Sequence, residues 1–346
     1  MAFARTARSI ALSSLIAVAL YLSGLLVMLT PLPILHASAA RGRWAGIAVA
    51  FISLAAVAML YFFLYPAGAA APLSGIASYI PIPGEGLAGF VPLGSMRVMG
   101  VVYFAFFALI ALALGEGARF RWGITRWGGV ALLTGIFVVL AAAGMASLGG
   151  MGRFFQSADS YIKFVVNQVV EANAQSGAAS TQLTLLAEHA DEVVTFVVRM
   201  IPSLVFVFVL ITVAVNLVIG RRLIRGHHQF SHVHNVARFK LPDLMVWAVI
   251  AAGIIFFADR YVVHAVWPAV VALNCIVSLA ALYFFQGLAV TVYLLQGIRF
   301  PLFRTLAYVA MVIFLQAASV AMVVIGVADV WVDFRLRRWR AMHHQS

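Results

Sequence analysis

The chain has 346 residues, 64% of them hydrophobic and 10% charged, with a mean hydropathy of +1.04. This balance excludes an ordinary soluble globular domain and reads as an integral membrane protein. The net charge of +12 comes from 23 basic and 11 acidic residues. The bases fall in short clusters between apolar runs, which fits the positive-inside rule and contact with anionic lipid headgroups, and no nucleic-acid partner is expected.

Eight apolar runs are expected to form membrane helices. The first, Ile10 to Leu29, follows Arg5 and Arg8. It exceeds the roughly 7 to 15 residues of a signal-peptide core, so it reads as a retained helix although Ala37-Ser38-Ala39 imitates a cleavage site. A linker with Arg41 and Arg43 leads to the second run, Trp44 to Tyr65. Residues 66–97 hold Pro66, Pro72, Pro81, Pro83 and Pro92 and form a Pro/Gly-rich connector. The third run is Val98 to Leu114. Glu116, Arg119, Arg121 and Arg126 separate it from the fourth, Gly128 to Leu148, with Trp122 and Trp127 suited to an interfacial belt.

Residues 153–198 carry Asp159, Glu171, Glu188, Asp191 and Glu192 against Arg153 and Lys163. Apolar residues at helical spacing, interrupted at Gln175-Ser176-Gly177, predict an acidic helical hairpin outside the bilayer. Its second arm feeds the fifth run, Met200 to Ile219, with Pro202 in a first turn. The loop 220–243 contains Arg221, Arg222, Arg225, Arg238 and Lys240 and no acid before Asp243. By the positive-inside rule it faces the cytoplasm, and the expected location is the bacterial cytoplasmic membrane.

The sixth run is Leu244 to Ala258, and the eighth covers about Thr305 to Val327. Between them, Tyr261 to Ile298 contains no Asp, Glu, Lys or Arg. As a helix it would reach roughly 57 Å against a hydrocarbon core of about 30 Å. Its midpoint, Leu279 to Phe285, has no Gly, Pro or Asn to make a turn, so one long tilted helix is expected. Counting crossings outward from the basic loop then puts both termini outside. That conflicts with Arg335, Arg337, Arg338 and Arg340 in the basic tail, 328–346. The expected fold is an all-α, polytopic bundle of about eight membrane helices plus the hairpin, a single integral membrane domain over 1–346.

Catalytic signatures are absent from the sequence: no P-loop, H-E-x-x-H or G-x-S-x-G occurs. Gly84-Glu85-Gly86-Leu87-Ala88-Gly89 has the letters of a dinucleotide fingerprint without the strand–turn–helix setting that gives it meaning. No enzyme activity and no cofactor are therefore expected. His227, His228, His232 and His234 have spacings that could hold a metal, but the surrounding bases favour a solvated, lipid-facing loop, and no metal is expected. Cys275 lies in an apolar run and reads as a small packing residue.

Polar residues inside the runs carry most of the functional interest, because an unsatisfied polar group in hydrocarbon is costly and turns inward. These are Asn216, Asn274, Ser278, Gln286, Thr291 and Gln316. Two readings stay open for them, interhelical hydrogen bonding and the lining of a ligand cavity. Replacing Asn274 with Leu is expected to impair ligand retention more than expression. The runs hold no interior carboxylate or base, which argues against an ion pump or a proton-coupled antiporter. Asp329, Trp331, Asp333 and Arg335 follow the last run and suit interfacial anchoring or docking of a partner.

Several pieces together resemble the YybS-like family of multi-pass bacterial membrane proteins. They are Pro31-Leu32-Pro33, Asn216 with Arg221-Arg222, Leu241-Pro242-Asp243 with Trp247, and Asn274. Tyr283-Phe284-Phe285-Gln286-Gly287-Leu288-Ala289 and Gly326-Val327-Ala328-Asp329-Val330-Trp331 complete the set. The family has no activity to carry over to these residues. More distantly the chain resembles the membrane-embedded substrate-capture subunits of energy-coupling-factor vitamin transporters, which are six-helix bundles. The eight runs and the hairpin depart from that pattern. The resemblance implies a transport-related subunit that captures a small solute and is energised by a partner membrane protein or ATPase. The alternative is a non-transporting scaffold for envelope or division proteins.

Overall fold

The computed structural model describes residues 2–64, 93–120, 122–147, 163, 189–224, 237, 239–263, 265–296 and 300–343. Residues 66–92 of the connector expected over 66–97, most of the acidic hairpin, the histidine cluster, and Arg121, Arg225 and Arg238 lie outside the described residues, while 93–97 are helical. Every regular element among the described residues is helical, and the fold is an all-α polytopic bundle. Among them, Arg43–Phe63, Gly100–Arg119, Ile124–Gly144, Asp191–Leu223, Met245–Val262 and Trp267–Leu295 are each long and apolar enough to cross a membrane. The helices divide between two compact units, one within 1–158 and 209–233, the other within 159–208 and 234–346.

In the first unit, the first apolar run is not a single helix. α1 (Ala2–Leu22) stops at Ser23, and Gly24 takes a positive φ of 66° that favours glycine. A short 3-10 turn, Val27–Leu29, leads into α2 (Pro31–Arg41), which has proline at its first position and buries Ile34, Leu35 and Ala37 completely. The expected linker is thus a packed half-helix, and the imitation cleavage site lies within it. Gly42, with φ 93°, ends α2, and α3 (Arg43–Met59) begins at once, continuing into a π-helical turn, Leu60–Leu64.

Contacts fix the directions of these helices. Thr6, Ala7 and Ile10 of α1 line an apolar groove with Ala48 and Ile52 of α3, and Ser53 donates to the Ser14 carbonyl at 3.3 Å. The paired numbers rise together, so α1 and α3 run parallel. α4 (Leu93–Arg119) runs against α3, since Arg43 pairs with Glu116 at 3.5 Å at one end while the Tyr61 ring covers Gly100 at the other. Tyr21 donates to the Gly100 carbonyl at 2.6 Å. The N-terminal end of α1 therefore lies at the Arg43–Glu116 end of the unit. This corrects the expectation that the N-terminus is on the side opposite the Arg119 cluster: α2 supplies a return that the run count omits.

α5 (Ile124–Ser147) packs on α4 through Trp127, whose indole N–H donates to the Leu114 carbonyl at 2.7 Å. Phe137 and Leu140 on its outer face are 71% and 64% exposed, as side chains facing lipid should be. The unit is completed by the C-terminal part of α6 (Ala190–Ile224). Asp191 and Glu192 occupy the first turn of α6, where carboxylates suit the positive end of the helix dipole, and the helix runs from there directly into the fifth run.

The second unit begins with residues 190–208 of α6. α7 (Met245–Ala258) and α8 (Val266–Leu295) are joined through a π-helical turn, Asp259–Val263. Buried Asp259 caps this turn by accepting the Ala265 N–H at 2.9 Å. The long charge-free stretch thus loses its first residues to a turn and forms one helix. The eighth run divides into α9 (Pro301–Ile313) and α10 (Leu315–Val332), bent 105° from each other about Phe314. The expected eighth span is thus not one straight helix. Asp333, at φ 44°, is the only non-glycine residue with positive φ among the described residues, and it turns the chain into α11 (Phe334–His343).

Candidate functional site

In the second unit, an asparagine repairs a proline break. Pro202 lies inside α6, where it lacks an N–H and crowds the preceding turn. Ser203 N–H and Arg199 C=O are partners in a regular helix. Asn274 of α8 engages both: its Oδ1 accepts from Ser203 N at 2.8 Å and its Nδ2 donates to Arg199 O at 2.8 Å. The same nitrogen also donates to Val270 O at 2.8 Å. Both ends of the amide are committed to backbone, so this residue fastens α8 across the opened turn.

One and a half turns beyond the midpoint of α8, Gln286 is fully buried. Its Oε1 accepts the Leu241 N–H at 3.0 Å, and its Nε2 donates to Gly326 O at 3.1 Å and to Asp329 Oδ2 at 3.2 Å. Asp329 has no exposed surface and is paired with Arg335 at 2.6 Å. The Arg335 guanidinium also donates to the carbonyls of Ala237 at 3.2 Å and Phe239 at 2.8 Å. A buried charge is tolerable when it is paired and its remaining hydrogen bonds are made, and this one meets both conditions. Glycine permits the approach: a Cβ on Gly287 would collide with the Met322 carbonyl, and one on Gly326 with the Tyr283 carbonyl.

The node fixes the C-terminal helix. Arg338 donates to the Tyr293 and Leu294 carbonyls, capping the end of α8. Asp333 accepts the Leu336 N–H at 3.3 Å and lies 3.6 Å from Lys240, which also approaches Asp243 at 3.4 Å. Asp333 thus ties this turn to Lys240, whereas Asp329 is a buried acid and not a surface residue. Trp331 is 65% exposed. The basic tail begins beside residues 237–243, on the same side as that end of the basic loop.

In the first unit, Asn216 on α6 is also fully buried, but only half of its amide is engaged. Nδ2 donates to Met28 O at 2.6 Å, in the turn between α1 and α2, and to Thr212 O at 2.7 Å. Oδ1 has no hydrogen-bond partner among the described residues. The same holds for Oγ1 of Thr30, a residue with no exposed surface that stands at the N-cap of α2 without a side-chain cap bond. Pro31 and Pro33 lack N–H groups, so α2 opens with few donors for these oxygens.

Of the other polar candidates, Thr291 donates to Met322 Sδ at 3.2 Å, which joins α8 to α10. Ser278 is half-buried, and Gln316 is exposed at the start of α10. The apolar groove between α1 and α3, about 320 Å³, includes none of the six. No cluster of potential metal ligands occurs among the described residues. Thr30 was not singled out by sequence, although Thr-Pro at the end of an apolar run is a signal of helix entry.

A family model described as "Predicted membrane protein (DUF2232)" matches residues 87–330, more than two thirds of the chain. No curated protein and no solved structure matches it. The matched span includes Asn216, Asn274, Gln286 and Asp329 and ends before Arg335.

Proposed function

From the premise that the chain belongs to the DUF2232 family of predicted membrane proteins, we propose that it is a transport-related subunit. It would capture a small uncharged solute and depend on a partner membrane protein or ATPase for energy. The observation carrying this reading is the interruption between α1 and α2. Irregular backbone at membrane depth is tolerated where protein buries it or where it lines a cavity, and interrupted helices are a common way to build a solute site. Here the interruption adjoins two buried oxygens without partners among the described residues, on Thr30 and Asn216. The distant energy-coupling-factor resemblance points the same way. The reading includes no catalytic step. It places the protein in a bacterial cytoplasmic membrane with its basic clusters at anionic headgroups.

A scaffold for envelope or division proteins is the second reading. Asn274 and Gln286 favour it, because their amides close on backbone and leave little for a ligand. Gentle extraction from the native membrane, followed by mass spectrometry of what accompanies the protein, separates the two. An ATPase partner or a bound metabolite is expected; recovery of envelope or division proteins with neither would favour the scaffold.

A further inference from the structure

We infer that the interruption between α1 and α2 holds an uncharged hydrogen-bond donor, an O–H or N–H group, bridging Asn216 Oδ1 and Thr30 Oγ1. The inference rests on the capture reading only for the source of that donor, which is either a solute or a trapped water.

The chemistry follows from the asparagine. Its Nδ2 lies 2.6 and 2.7 Å from two carbonyl oxygens, so flipping the amide would set oxygen against oxygen at both contacts. An amide nitrogen has two hydrogens, and both are used. Oδ1 is therefore fixed as an acceptor, and it is fully buried. Thr30 stands two residues beyond Met28, whose carbonyl Asn216 holds, and its hydroxyl can donate or accept. Leaving two such groups unpaired is a burden that native interiors avoid by binding water or ligand. A cation fits poorly: the positive end of the α2 dipole begins at Thr30, and Arg221 follows Asn216 on α6.

The test uses the full chain in lipid nanodiscs, comparing wild type, Thr30→Val and Thr30→Ser by thermal melting and by mass spectrometry of small molecules released on denaturation. Valine keeps the shape of threonine and removes the hydroxyl. A bridged hydroxyl predicts that Thr30→Val lowers the melting temperature by about 2–4 °C and that serine restores it. An orphan hydroxyl predicts no change or a rise, because the desolvation penalty disappears with it; that result would overturn the inference. If a released solute falls about threefold to tenfold in Thr30→Val alone, the donor is that solute. If the melting temperature falls and no solute differs, the donor is water: the site stands and the capture reading loses this support. A solute released equally by all three proteins, with unchanged melting, would remove the site while leaving capture elsewhere intact.

Discussion

Two asparagines, Asn216 buried and Asn274 half-buried, attend two interruptions of helix, and they differ in how completely they mend them. Asn274, in the second unit, takes both the Ser203 N–H and the Arg199 C=O beside Pro202. Asn216, in the first, ties down the Met28 carbonyl and leaves its own oxygen without a partner among the described residues. The same residue type in the same solvent is thus a finished repair in one place and an open valence in the other. An unclaimed acceptor is what sets Asn216 apart from Asn274 as a candidate position.

This contrast can be broken most forcefully at the buried ion pair. Arg335→Gln leaves Asp329 charged and unpaired in an enclosed site, and a loss of about 3–5 kcal/mol is expected in the denaturation midpoint of the purified protein. Combining it with Asp329→Asn should cost less than the two single changes together. A smaller effect is expected at the helix crossing. Gly326→Ala sets a methyl against the Tyr283 carbonyl and should cost about 1–3 kcal/mol by the same measurement. Asn274→Leu is expected to cost about 2 kcal/mol, because Ser203 N–H and Arg199 C=O lose the amide. Adding Pro202→Ala should recover part of that loss by letting the helix close its own turn. At the exposed Arg43–Glu116 pair, Glu116→Gln should change stability by less than about 1 kcal/mol.

The apolar runs were legible because a bilayer demands uninterrupted hydrophobicity, and that demand is written locally. Their breaks were less so. Gly24 and Pro31 announce the division of the first run, yet neither says that α2 folds back as a packed half-helix. At Phe314 the 105° bend falls among Ile313, Phe314 and Leu315, where no residue type signals a turn. Asp259 lies just before the long neutral stretch, so its capping of the turn into α8 was hidden by where that stretch begins. Polar candidates could be recognised from their apolar surroundings. Their roles depend on partners far away in sequence: Leu241, Gly326 and Asp329 for Gln286, Arg199 and Ser203 for Asn274. Three of the pieces that carry the family resemblance, at Leu241, Gln286 and Gly326–Asp329, meet at one buried node, and spacing alone does not reveal that convergence.

The most direct measurement is the amount of small molecule released per folded protein from Asn274→Leu and Thr30→Val, taken side by side with wild type. Solute capture at the first interruption predicts that Thr30→Val loses the solute while Asn274→Leu, though less stable, retains it in its folded fraction. Loss from Asn274→Leu with full retention by Thr30→Val would contradict the account and move the site to the second unit.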